Sequence, residues 1–165
     1  MVNKIAFTLI ALLGTLGSAS AEDTLSEEQL VRVAIEQLDE LHELSLAEKA
    51  QIGKVTDFGI NLDHYGHQIG PLTWQDVTAG RRGEGNLSIS THPDVAIALH
   101  IHEVTGHKKF DRENQGPFYS TPDMTSVTRF SGRWSLIRGS DGRVTGIRYV
   151  NGAVESREFR GPTRD

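Results

Sequence analysis

The chain has 165 residues, 17 basic and 22 acidic side chains, a formal net charge of −5, and no cysteine. An acidic balance argues against a nucleic-acid-binding protein, whose surface is usually basic, and the lack of cysteine excludes disulfides and lipid-modified cysteine. The length suits one domain whose core is large enough to need no covalent cross-links.

Residues 1–21 are predicted to be a signal peptide. Lys4 supplies the positive charge before an apolar segment at 5–16, and the sequence up to Ala21 ends in the small-x-small pattern that signal peptidase cleaves. Cleavage after Ala21 leaves 144 of the 165 residues, expected to form a single globular α+β domain over 22–165. The apolar segment is short for a membrane span, and an exported chain without cysteine is typical of a bacterial periplasm. A periplasmic or secreted protein is therefore expected.

Residues 24–53 have the period of an amphipathic helix. Apolar side chains recur every three or four positions between Leu30 and Leu44, with acidic side chains on the other face. A capping box is predicted at Thr24, and Gly53 predicts the end. A second capping pattern at Ser45 predicts a break, so this segment is expected to form one or two helices.

The region that follows is punctuated by glycines and loses the helical period. It is expected to hold short strands, then a polar loop with Asp63, His64 and His67. A short helix is predicted to begin near Trp74, with the indole packed on the core. A strand at 86–91 is expected to pair with the apolar strand that comes next.

The most apolar part of the mature chain is the segment 95–104, which contains His100 and His102. Its large apolar side chains fall on alternate positions and many are β-branched, which favours a strand with both histidines on one face. A helix opened by Asp94 is the alternative. It is less favoured because no charged residue appears in the segment before Glu103.

Two further segments follow this strand. The segment 108–122 is polar and contains a Gly-Pro pair, which predicts a long surface loop. Loops of that size inside a compact domain are often functional. The alternation from 125 to 138 then predicts another strand.

The C-terminal residues carry the clearest structural signal. Asn151 and Gly152 predict a type I′ turn between two strands. The two-residue turn sets the register, with the expected pairs Tyr149–Val154, Arg148–Glu155 and Val144–Phe159. The predicted fold is α+β, with one or two N-terminal helices packed on an antiparallel β-meander of about five strands.

Charge is unevenly placed along the chain. Residues 22–63 contain 11 acidic and 3 basic side chains, whereas residues 129–165 contain 8 arginines and 4 acids. We expect the acidic helix and the arginine-rich strands to lie on different surfaces, each able to attract a partner of opposite charge.

His100 and His102 are the first candidate metal ligands. A His-x-His pair on a strand resembles the pair of cupins and of α-type carbonic anhydrases, and two such imidazoles can chelate one zinc ion. The remaining motifs of both families are missing from the chain, so the resemblance stops at the pair. His64 and His67 are the expected further ligands, because their loop, which also holds Asp63, is the other cluster of ligand-type side chains.

The six residues from His102 to His107 match the pattern His-Glu-x-x-Gly-His and resemble the zinc motif of the dipeptidyl peptidase III family. That motif lies on a long helix, needs a further glutamate on another helix, and belongs to a far larger protein. Because this segment is predicted to start as a strand, we do not expect that family's fold here.

No nucleophile motif, phosphate-binding loop or dinucleotide fingerprint is present in the sequence. The leading hypothesis is an exported binding module that recognises a protein or small ligand through its sheet face and the 108–122 loop, as an inhibitor or immunity protein does. The first alternative is a metal-binding protein or metal-dependent hydrolase using His100 and His102, with zinc as its cofactor. A binder is favoured over an enzyme because Glu103 would face away from the histidines. The second alternative is a structural component of an envelope complex.

Overall fold

The computed structural model describes residues 23–88, 90, 92–114, 121–130 and 132–163. In chain order its elements are α1 (Glu27–Ile52), β1 (Thr56–Leu62), β2 (Gln68–Asp76), β3 (Gly85–Asn86), β4 (Ile97–His102), α2 (Lys108–Asn114), α3 (Thr121–Val127), β5 (Trp134–Gly139), β6 (Val144–Val150) and β7 (Ala153–Arg160). The strands form one sheet in the order β3-β2-β1-β4-β5-β6-β7. The predicted signal peptide lies outside the described residues, and its cleavage stays a prediction.

The predicted α+β class is confirmed, since one long helix precedes a mostly antiparallel sheet. Two details differ from the predicted meander. The described residues form seven strands rather than about five, and β4 runs parallel to β5. Parallel neighbours cannot be joined by a tight turn, and the chain passes between them through α2 and α3. The segment 108–122, expected to be a surface loop, therefore contains α2 and the start of α3, with 115–120 outside the described residues.

α1 is one continuous helix. It begins with a capping box at Ser26, two residues after the predicted one, and ends as predicted at Gly53, which is left-handed. The break expected at Ser45 does not occur. The hydroxyl of Ser45 donates instead to the carbonyl of Thr56 at 2.7 Å, so this buried serine ties the helix to β1 rather than capping a second helix.

α1 covers one face of the sheet. Apolar side chains of the helix and of alternate positions on β1, β4 and β5 form the main core, which includes Leu38, Phe58, Ile97, Leu99, Ile101 and Leu136. Each such side chain contributes about 1.5–3 kcal/mol on burial. The apolar alternation predicted for β4 is therefore confirmed, and it leaves His100 and His102 on the face opposite α1.

The acidic helix and the arginine-rich strands lie against each other, so the prediction that they occupy different surfaces is wrong. Asp39 of α1 accepts hydrogen bonds from Arg160 (2.7 Å) and Arg138 (2.9 Å). Glu27 lies 3.6 Å from Arg148. Hydrogen bonding from Arg160, aided by Arg138, lowers the pKa of the Asp39 carboxyl. The two charged segments thus partly neutralise each other inside the fold.

The β6–β7 hairpin confirms the predicted turn and most of the register. Asn151 and Gly152 both have positive φ, 51° and 81°, as a type I′ turn requires. The predicted pairs next to the turn are present, but at the far end Val144 pairs with Arg160 instead of Phe159. One extra residue in β7 accounts for this shift, as in a β-bulge.

The region before β4 departs from its predicted form. Trp74 lies on β2, not on a helix, and its side chain is 42 % exposed because β2 is near the edge of the sheet. The segment 86–91 does not supply a partner for β4, whose neighbours are β1 and β5. Its first residue belongs to β3, which pairs with β2, while Ile89 and Thr91 lie outside the described residues.

Candidate metal centre

Two strand histidines and one helix aspartate converge on the face of the sheet opposite α1. The Nε2 atom of His100 lies 3.1 Å from Nε2 of His102 and 3.3 Å from Oδ1 of Asp123. The Nε2 atom of His102 lies 3.8 Å from Oδ2 of Asp123. Both histidines are buried and the Asp123 side chain is 12 % exposed. Among the described residues, these three form the group whose ligand atoms could hold one metal ion.

The spacing of these atoms fits a tetrahedral ion. Zinc binds imidazole nitrogen and carboxylate oxygen at about 2.0–2.2 Å, which places the ligand atoms of a tetrahedron about 3.3–3.6 Å apart. The two Nε2 atoms lie 3.1 Å apart, and each lies 3.3–3.8 Å from one oxygen of the Asp123 carboxylate, close enough for one ion to reach all three side chains. Three protein ligands with a fourth position left for water is the arrangement of catalytic zinc sites.

The crossover between β4 and β5 explains how Asp123 reaches the histidines. Asp123 lies in the first turn of α3, and α3 belongs to the connection that joins two parallel strands. Such a connection must cross one face of the sheet, and α1 already occupies the other. Buried Val127 and Phe130 anchor the end of this connection. The crossover therefore carries Asp123 over the two histidines.

His64 and His67, the predicted further ligands, lie elsewhere. The β1 partner of His100 stands four residues before Asp63, a distance of about 13 Å along the strand. In the turn after β1, the carboxylate of Asp63 accepts a hydrogen bond from the backbone N–H of His67 at 2.9 Å. The structure thus separates this loop from the histidine pair, and the third candidate ligand is Asp123.

A second carboxyl, Asp57, lies beside the cluster. It precedes Gly59, the β1 partner of His100, by two residues and so lies on the same face of the sheet. Its Oδ1 accepts the backbone N–H of Glu103 at 2.8 Å. Burial raises the pKa of Asp57 well above its usual range, and the negative charges of Glu103 and Asp123 add to the rise. Asp57 is thus a carboxyl that binds its proton unusually tightly.

Sequence reasoning missed both Asp57 and Asp123. Asp57 is the acidic residue within an otherwise apolar or neutral strand, β1, that is buried along its whole length. An acid in such a strand was a usable signal, because a carboxyl is rarely buried without a function or a partner. Asp123 had no local signal, since only the crossover brings it to the histidines.

A cavity of about 190 Å³ adjoins the cluster, bounded by β1, β2 and β4 and by α3. Its other walls include the neutral polar side chains Thr73, Gln75, Asn86, Ser88 and Ser126. Gly59 lines the floor, where a Cβ would lie 2.9 Å from the carbonyl oxygen of Leu99 and 3.2 Å from the Cβ of His100. Glycine at this position therefore allows β1 and β4 to approach beneath the histidines.

Glu103 faces away from the cavity, as the alternation of β4 predicted. Its carboxylate pairs with Nδ1 of His42 on α1. Burial raises the pKa of Glu103, although the hydrogen bond to His42 opposes the rise. Because Glu103 binds the helix, the carboxyl available on the metal side of the sheet is Asp57.

The His-Glu-x-x-Gly-His segment does not form a metal motif. Its residues after His102 leave β4 and lead into α2 rather than lying on one helix. His107 packs its ring against Gly80, apart from the cluster. The likeness to the peptidase motif is therefore limited to residue order.

The fold and the site define an α+β protein with a buried cluster of two histidines and one aspartate beside a polar cavity. In comparisons with known proteins, no family model, no curated protein and no solved structure matches the chain. None of the described helices is both long and apolar enough to cross a membrane.

Proposed function

We propose that this protein is a metal-dependent hydrolase in which His100, His102 and Asp123 hold a zinc ion. The observation that carries the proposal is the convergence of two buried histidines and a partly buried aspartate beside a cavity. The proposal includes export and cleavage after Ala21, which the apolar segment at 5–16 supports.

The chemistry follows from three ligands and one nearby acid. A zinc ion with three protein ligands binds water at its fourth position and lowers the pKa of that water to about 7. Zinc held by His100, His102 and Asp123 would activate this water for attack on the carbonyl or phosphoryl centre of a substrate. Asp57 would be the group that takes up the proton of the water and returns it to the leaving group as the old bond breaks.

The raised pKa of Asp57 suits this proton transfer. A carboxyl whose pKa lies near the working pH can accept and release a proton with comparable ease. In the metal-free site burial favours the protonated form, and the positive charge of a bound ion favours the carboxylate. Metal loading therefore prepares Asp57 to act as the base.

The buried charges support a metal site over a pure binding module. Two imidazoles and two carboxyls lie together in and around the cavity. These groups lie close enough to pair with one another, and Asp57 accepts the backbone N–H of Glu103. A divalent cation would bind the two imidazoles and the Asp123 carboxylate together. The binding-module and envelope-component hypotheses offer no comparable reason for this cluster.

The same donor set, two histidines and one carboxylate, also binds ferrous iron in oxygenases. One observation favours zinc and hydrolysis: the buried carboxyl of Asp57 lines the same cavity as the histidines and Asp123, where it can serve proton transfer.

Calorimetric titration of the mature protein with zinc, and anaerobically with ferrous iron, tests the metal site. We expect zinc to bind with Kd below about 10 μM, or about −7 kcal/mol, and at least tenfold more tightly than iron. His100→Ala and Asp123→Asn should weaken zinc binding about 100-fold, whereas His67→Ala, a histidine outside the cluster, should not change it. Affinity should fall as pH is lowered, because zinc binds neutral imidazole and protons compete for it. Equal binding by the wild type and His100→Ala would refute the site.

Hydrolysis is tested separately with chromogenic esters, amides and phosphoesters on the zinc-loaded protein. Asp57→Asn should retain zinc binding but lose about 100-fold or more in kcat, within the range of general acid–base catalysis. A variant that keeps full kcat would remove Asp57 from the mechanism.

A further inference from the structure

Arg82 brings a permanent positive charge to the wall of the metal-cluster cavity. Of the described residues that line this cavity, it is the one with a guanidinium or ammonium group. The guanidinium stays protonated at any pH a protein meets. The other walls carry neutral polar side chains, the two carboxyls and the two histidines. The charge of Arg82 is therefore a distinct feature of the cavity.

The loop that presents Arg82 is braced at both ends. The N–H of Gly83 donates to the carbonyl of Asp76 at 2.7 Å. The N–H of Asp76 donates across the loop to the carbonyl of Glu84 at 2.9 Å. At the start of the loop, Gly80 has φ 64° and lies so close to the ring of His107 that no Cβ would fit. A loop held in this way can place a side chain with little loss of conformational entropy on binding.

The neighbouring Arg81 gives a natural contrast. It lines a separate surface depression together with Lys54, Asp76 and Glu84, whereas Arg82 lines the metal-cluster cavity. The two arginines are adjacent in sequence but line different depressions. Substitution of Arg81 is therefore a matched control for substitution of Arg82.

Arg82 also acts on a carboxyl beside the cluster. Its attraction partly opposes the rise in the pKa of Asp57 caused by burial, which places its charge near the proposed site of proton transfer.

We infer that Arg82 binds a carboxylate of the substrate, so that the proposed hydrolase acts on small molecules or chain ends bearing a carboxylate near the cleaved bond. The planar guanidinium matches a carboxylate through two parallel hydrogen bonds. The cavity of about 190 Å³ is small, which suits a short acid. This inference rests on the proposed function, because the metal ion supplies the other anchor.

The test is calorimetric titration of the zinc-loaded mature protein with dicarboxylates from malonate to adipate, and with monocarboxylates of equal chain length. One carboxylate can occupy the open metal position while the other reaches Arg82. We expect one dicarboxylate of the series to bind at least tenfold more tightly than its monocarboxylate. Arg82→Gln should abolish this preference, Arg82→Lys should reduce it, and Arg81→Gln should leave it intact.

The outcomes separate the two proposals. Zinc binding without any dicarboxylate preference, or a preference that survives Arg82→Gln, would overturn the role of Arg82 and leave the metal site standing. A change of zinc affinity in Arg82→Gln, with the dicarboxylate preference unchanged, would show that Arg82 only neutralises Asp57 and Asp123. That result would also overturn its proposed role in binding the substrate carboxylate. Failure of the wild type to bind zinc would overturn the proposed function and this inference together. Circular dichroism of Arg82→Lys confirms that the comparison is made on folded protein.

Discussion

The two faces of β4 are equally buried and chemically opposite. Ile97, Leu99 and Ile101 pack beneath α1, while His100 and His102 face the cavity, and each of these residues is at most 6 % exposed. Burial on the helix face is favourable because the side chains are apolar. Burial on the cavity face carries a free-energy cost that a bound cation would offset.

The polar groups on the two faces are also arranged differently. On the helix side they are matched in local pairs, as His42 is with Glu103 and Asp39 with its two arginines. On the cavity side His100, His102 and Asp123 direct their ligand atoms at a common point. Local pairing fastens one element to another, whereas convergence on one point is what a ligand requires. The helix face of the sheet therefore carries contacts that hold the fold together, and the cavity face carries the candidate site.

The largest expected effect comes from removing apolar volume on the helix face. Ile101→Ala should destabilise the metal-free protein by about 4 kcal/mol, because it leaves a cavity in a fully buried core. His100→Ala, one residue away on the opposite face, should cost less, about 1–3 kcal/mol, the usual penalty for leaving the buried partners His102 and Asp123 without their contact. Urea unfolding with a chelator present measures both. Equal losses would contradict the division between the faces.

The next effect comes from breaking a pair on the helix face. His42→Ala should cost about 3 kcal/mol, because it leaves the buried carboxyl of Glu103 without its partner. The double variant His42→Ala/Glu103→Gln should recover at least a third of this loss, since no buried charge remains. Zinc affinity should change less than threefold in both variants. A large loss of zinc binding would mean that the pair belongs to the metal site.

The smallest effect has the opposite sign and lies on the cavity face. Asp57→Asn should stabilise the metal-free protein by roughly 1–2 kcal/mol near pH 7, within the usual range of single substitutions. The folded pKa of Asp57 is raised, so the folded state binds the proton more tightly than the unfolded state, and wild-type stability falls as pH rises above the unfolded value of about 3.9. The advantage of the asparagine variant should therefore vanish near pH 3.5. Unfolding curves across this pH window provide the measurement, and a gain independent of pH would exclude burial of the carboxyl as its cause.

Local patterns in the sequence determined several features correctly. The alternation of β4 placed His100 and His102 on one face and Glu103 on the other, because the side chains of any strand alternate. Asn151 and Gly152 determined the hairpin turn, because few residue pairs accept positive φ at both positions. Gly53 ended α1 for a related reason. Each of these features depends on neighbours within a few residues.

The tertiary structure alone decided which residues join the histidine pair. Asp57 is 45 residues from His102 and arrives through the pairing of β1 with β4, while Asp123 arrives through the crossover that makes β4 and β5 parallel. His64 and His67 had the right chemistry, but they lie in the turn at the other end of β1 from Asp57. Strand order and direction depend on long-range pairing that no local period specifies. The sequence by itself therefore determined two candidate ligands and the face they occupy, and the arrangement of the sheet supplied the third candidate ligand, the nearby carboxyl of Asp57 and the cavity.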